Sequence, residues 1–85
     1  MSKYERILER IRRGEGSVTY QDLHHVLIKL GYIEKKTGKT SGSRVAFYHQ
    51  KLNHIIRLHK PHPGNELREY QKKYIKSILE ELKLI

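Results

Sequence analysis

Apolar residues recur every three or four positions in three stretches of the chain, and every second position in the region before the last of them. Tyr4, Ile7, Leu8 and Ile11 stand among Lys, Glu and Arg, which predicts a short amphipathic helix ended by Gly14-Glu15-Gly16. Leu23, Val26, Leu27 and Leu30 form a second stripe, with Thr19 as N-cap, Asp22 at the third helical position and Gly31 as C-cap. The period then changes to two. Tyr32 to Thr37, Arg44 to His49 and His54 to His59 read as three strands, joined by the glycine-bearing segment 38–43 and the polar connection Gln50 to Asn53. Pro61, Pro63 and Gly64-Asn65 close the last strand. A final helix begins near Asn65 or Glu66 and carries a stripe of Leu67, Tyr70, Tyr74, Ile75, Ile78, Leu79 and Leu82. The order helix, helix, three strands, helix predicts an α+β domain, a small antiparallel sheet with its helices on one face. Ile78, Leu79 and Leu82 are expected to pack on Leu23, Leu27 and Leu30 and on Val45 and Phe47.

Strand parity divides the hairpin into two faces. With Val45 and Phe47 pointing at the core, Arg44, Ala46 and Tyr48 point away from it; with Ile56 and Leu58 inward, Ile55, Arg57 and His59 point outward. The open face therefore gathers Arg44, Tyr48, Arg57 and His59. Charges there also serve to keep a sheet soluble and to discourage edge pairing, so the face is a candidate site and not yet a function.

Charge sharpens the picture. The chain of 85 residues holds 18 Lys and Arg against 9 Asp and Glu, a formal net charge of +9. A polyanion is the partner such a balance attracts, with nucleic acid ahead of acidic proteins and membrane surfaces. Without cysteine there is neither a disulfide framework nor a thiolate metal site, and packing must supply the stability. No apolar run approaches the roughly 20 residues of a membrane span, so a cytoplasmic protein with no membrane partner is expected. Lys35, Lys36 and Lys39 lie on the approach to the hairpin, where they either contact phosphate or are simply solvated. Arg12 and Arg13 fit the negative end of the first helix dipole better than a phosphate site. Adjacent histidines such as His24 and His25 point about 100° apart on a helix and do not form a metal pair. His59 and His62, without a carboxylate or thiolate nearby in sequence, are a weak metal signal. No metal and no other cofactor is expected.

The residues Asp22 to Gly31 with Leu27-Ile28-Lys29-Leu30-Gly31-Tyr32, then Gly42-Ser43, then Leu58-His59-Lys60-Pro61-His62-Pro63-Gly64, then Lys76-Ser77-Ile78-Leu79, resemble in order and spacing the HicA toxin family. The likeness runs from about Thr19 to Leu82. It implies residues 17–85 as the family domain and 1–16 as an N-terminal helical extension. It further implies a double-stranded-RNA-binding-like fold, cleavage or binding of mRNA, and neutralisation by a HicB-like antitoxin. The family motif is usually Gly-Ser-His, its histidine being the catalytic residue, whereas this chain has Gly42-Ser43-Arg44. A guanidinium stays protonated and so holds phosphate charge but does not trade protons as an imidazole does.

Two functions follow. As a metal-independent endoribonuclease of the toxin type, the chain would use His59 for proton transfer and Arg44 for phosphate charge, with Lys35, Lys36, Lys39, Ser43, Tyr48, Arg57 and Lys60 binding RNA. His49 and His62 are the alternative histidines. As a non-catalytic RNA-binding module it would need only the basic face. A DNA-binding reading ranks third, since Leu23 to Gly31 lacks the companion helix of a helix-turn-helix.

Overall fold

The computed structural model describes residues 2–36, 44–61 and 64–85, and of Lys36 the backbone alone. Among these residues the order is α1 (Lys3–Arg13), α2 (Tyr20–Lys29), β1 (Tyr32–Lys36), β2 (Arg44–His49), β3 (His54–His59) and α3 (Glu69–Glu81). The strands form one antiparallel sheet in the order β1-β2-β3. The fold is α+β, and α2-β1-β2-β3-α3 follows the order of a double-stranded-RNA-binding-like domain.

Local sequence sets the ends of the first two helices. Ser2 accepts from the Glu5 amide at 3.2 Å while Glu5 reaches back to the Ser2 amide, and Gly14 closes α1 at φ 70°. Thr19 and Asp22 repeat the reciprocal cap on α2, at 3.0 and 3.2 Å. At the far end of α2 the cap is Leu30, and Gly31 is the following residue, at φ 103°. Gly31 is constrained twice, because a Cβ there would also meet His49 Nε2 at 2.7 Å.

Ile7, Ile11, Leu23, Val26, Leu27, Val45, Phe47, Ile56, Ile75 and Leu79 belong to one buried cluster, with Leu30 and Ile78 partly buried against it. Through Ile7 and Ile11, α1 thus contributes to the common core. Two backbone bonds, Leu67 N–H to the Val18 carbonyl and Tyr20 N–H to the Asn65 carbonyl, clip the α1-α2 connection to the segment before α3.

The last helix departs from the sequence pattern. It starts at Glu69, later than Asn65 or Glu66, and Leu67 is buried in the preceding extended segment. Tyr70 and Tyr74, expected in the apolar stripe, are exposed, while Gln71 and Lys72 are buried. The later start shifts which residues face inward, and polar bonds hold the two unexpected side chains. Gln71 Oε1 accepts from the Arg68 amide at 3.0 Å, and its Nε2 donates to the His59 carbonyl at 2.9 Å. Lys72 Nζ donates to the Gly16 carbonyl at 2.9 Å and pairs with Glu69 at 2.9 Å. Leu82, expected in the core, is the half-buried cap of α3 and stands outside the buried cluster.

Candidate nucleic-acid interface

Register, not loop geometry, builds the site. Arg44 pairs with His59, Ala46 with Arg57 and with Lys35, and Tyr48 with Ile55 and with Ile33. Val45, Phe47, Ile56 and Leu58 are buried, whereas Arg44, Arg57 and His59 are exposed, so the two faces fall where strand parity puts them. Directly opposed residues stand about 5 Å apart at Cα, and diagonal ones about 7–8 Å. Arg44, Arg57 and His59 therefore share one patch. With Val45 and Leu58 they line a cleft of about 370 Å³.

The same face changes character along its length. Lys35 stands with its Nζ 5.2 Å from the Tyr48 ring centroid, a cation over an aromatic face. Beyond it, exposed Ile33 and Ile55 flank Tyr48. Ala46 is buried although it faces outward, because longer side chains surround it in the middle strand: Lys35 and Arg57 across, Arg44 and Tyr48 along.

The histidines separate clearly. His49 lies on the core side, with Nε2 donating to the Leu30 carbonyl at 3.0 Å and Nδ1 accepting from the Leu52 amide at 3.1 Å. Both ring nitrogens are committed to holding the β2-β3 turn and the end of α2, which makes His49 a structural residue. His54 Nδ1 is bonded to the Tyr32 hydroxyl at 3.1 Å. His59 is on the open face beside Arg44, and Gln71 fixes its backbone from behind. His62, Lys39 and Ser43 lie outside the described residues, as does the side chain of Lys36. Among the described residues, no group of three or more His, Cys, Asp or Glu is placed to hold a metal ion.

Lys60 goes elsewhere. One residue past His59, it turns to the helix side, its Nζ 5.2 Å from the Tyr20 ring centroid. There Tyr20 donates to Glu34, and His24 Nε2 stands 3.8 Å from the other Glu34 oxygen. Burial, then the hydrogen bond to Glu34 and its charge, raise the Tyr20 pKa, so the hydroxyl remains a donor. The available clue to this second cluster is parity: Glu34 shares the Tyr32 face of β1, and a carboxylate on the core side of a strand calls for a partner. Gln71 gave no such clue, since a glutamine amid charged helical positions reads as surface.

A small α+β domain with a basic, partly aromatic sheet face is the class that fold and site define. The family model described as HicA toxin of bacterial toxin-antitoxin matches residues 20–84. The chain belongs to the HicA toxin family. No curated protein and no solved structure matches it. Among the described residues no helix is long and apolar enough to cross a membrane.

Proposed function

We propose that this chain is an endoribonuclease toxin that cleaves mRNA without a metal ion and is neutralised in the cytoplasm by a HicB-like antitoxin. One observation carries the reading: the β2-β3 register brings Arg44, Arg57 and His59 to one cleft on the face of the sheet away from the helices. Two guanidinium forks suit a phosphodiester, whose oxygens they bind in bidentate fashion. With the phosphate so held, His59 takes the proton of the adjacent 2′-hydroxyl, the 2′-oxygen bonds to phosphorus, and the bond from phosphorus to the 5′-oxygen breaks. The departing oxygen is protonated from solvent. Arg44 and Arg57 offset the charge that builds on the phosphoryl oxygens. Lys35, Lys36, Lys39, Ser43 and Tyr48 extend the RNA contacts, Lys60 adds one from the helix side, and residues 17–85 form the family domain with 1–16 as its helical extension.

Incubation of the purified chain with mRNA in EDTA tests the reading. Strand scission that His59→Ala abolishes is the expected result, and intact RNA at high protein concentration refutes it. A second reading, binding without cleavage, is favoured by Arg44 itself, since the family motif carries an imidazole at that position. RNA retained by wild type and His59→Ala alike, with no scission by either, selects it.

A further inference from the structure

The cleft on the helix side has its own chemistry. It measures about 420 Å³, within the range of about 300–1,000 Å³ usual for small-molecule sites, and is lined by Tyr20, Gln21, His24, Glu34, Lys60 and Asn65, with Pro61 and Gly64. Its rim is fixed by one backbone bond, from the Tyr20 N–H to the Asn65 carbonyl, and by Asn65 Nδ2 donating to Gln21 Oε1 at 2.8 Å. Glu34 is anchored by Tyr20, yet a carboxylate offers about four acceptor positions and this one keeps some for a ligand. Lys60 brings an ammonium with three donors to the same space. His24, half exposed and edge-on to Phe47 with centroids 6.0 Å apart, offers an aromatic ring at the opening.

We infer that this cleft is a guanine subsite, with Glu34 reading the N1–H and N2–H donors of the base and Lys60 its O6 and N7 acceptors. The choice follows from the pairing of groups. A free phosphate meets Glu34 as a like charge. Adenine and cytosine each present one amino donor beside ring acceptors, and uracil one ring N–H between two carbonyls. Guanine alone among the four offers two adjacent donors to a carboxylate and two acceptors to a cation. Unpaired RNA bases are read in this manner, along their Watson–Crick and Hoogsteen edges with an aromatic or imidazole ring against the base. The inference rests on the RNA reading only for the molecule that carries the base, and Lys60, following His59 directly, links the subsite to the strand that bears the proposed catalytic cleft.

Titration of the full chain with GMP, AMP, CMP and UMP, followed by amide NMR and calorimetry, tests it. GMP should bind about tenfold more tightly than the other three, the discrimination of one bidentate base contact. Its shift changes should centre on Gln21, His24, Glu34 and Lys60. Glu34→Gln should erase the preference. Lys60→Gln, at an exposed position that leaves the fold untouched, should weaken GMP by a similar factor, which guards against a misfolded Glu34 variant. Equal binding of the four nucleotides, no binding, or shifts centred on Arg44 and Arg57 overturns the subsite. GMP preference in a chain that does not act on RNA supports the subsite and counts against the ribonuclease reading alone, whereas RNA cleavage without nucleotide discrimination does the reverse.

Discussion

Arg44 decides what chemistry the open face supports. It stands in register with His59, and the proposed ribonuclease would divide phosphate charge and proton transfer between these two opposed residues. Arg44→Ala should then reduce cleavage strongly, and Arg44→Lys should recover only part of it, because the planar fork is lost. Arg44→His, read in a pH series of RNA cleavage, should add an activity whose profile follows an imidazole; an unchanged profile would show that position 44 does not reach the reacting atoms. Gly31 makes the matching structural case. At φ 103°, with His49 Nε2 only 2.7 Å from where a Cβ would stand, Gly31→Ala should cost about 1–3 kcal/mol in urea denaturation. A loss no larger than a few tenths would mean that the His49 bond to Leu30 is dispensable. Both residues differ in how far the sequence reveals them. Strand parity suffices to set Arg44 outward, since alternation is forced by backbone geometry. The embrace of Gly31 by His49 joins residues far apart in the chain, and no local pattern encodes it.

At the scale of elements, the strands were legible and the last helix only partly so. Val45, Phe47, Ile56 and Leu58 alternate with residues that point away from the helices because one sheet face is covered and the other is open. The stripe of α3 misleads because Tyr70 and Tyr74 count as apolar by composition, while Gln71 and Lys72 are buried with bonds to carbonyls of β3 and the α1-α2 connection. Leu79→Ala should therefore cost about 2–5 kcal/mol, and Tyr70→Ala less than about 0.5. Equal losses in paired denaturation curves would reverse that face assignment. The tie between α2 and β1 has a pH signature. Tyr20 is raised above its unfolded value of about 10 by burial and by Glu34, and Tyr32 is raised too, by burial and then by Tyr74. The unfolded chain loses these protons first, so the stability they contribute is complete below about pH 10 and drains away above it. Stability measured across the alkaline range should fall more gently in Tyr20→Phe than in wild type; identical slopes would remove Tyr20 from that account.

At the scale of the whole molecule, the boundary of the family match and the boundary of the folding unit do not coincide. The match begins at residue 20, and an amphipathic helix lying before it is naturally read as an addition. Yet Ile7 and Ile11 are 2% and 1% exposed, within the same cluster as Leu23 and Leu79. Lys72 of α3, itself buried, spends its ammonium on the carbonyl of Gly16. Burying two isoleucines contributes about 3–6 kcal/mol at about 1.5–3 each, against a total stability of about 5–15 for a domain. Among the described residues one cluster gathers the buried apolar side chains, and a chain this short has little surface elsewhere to make up the difference. Removing residues 1–16 should thus uncover an apolar face on α2 and α3 and leave Lys72 without one of its acceptors. The truncated chain should lose its cooperative thermal transition or melt far below the full chain, with dye binding that reports exposed apolar surface. A truncated chain that unfolds cooperatively within about 1 kcal/mol of the original would return α1 to the status of an appendage, and the core would have to be redrawn around α2, α3 and the sheet alone.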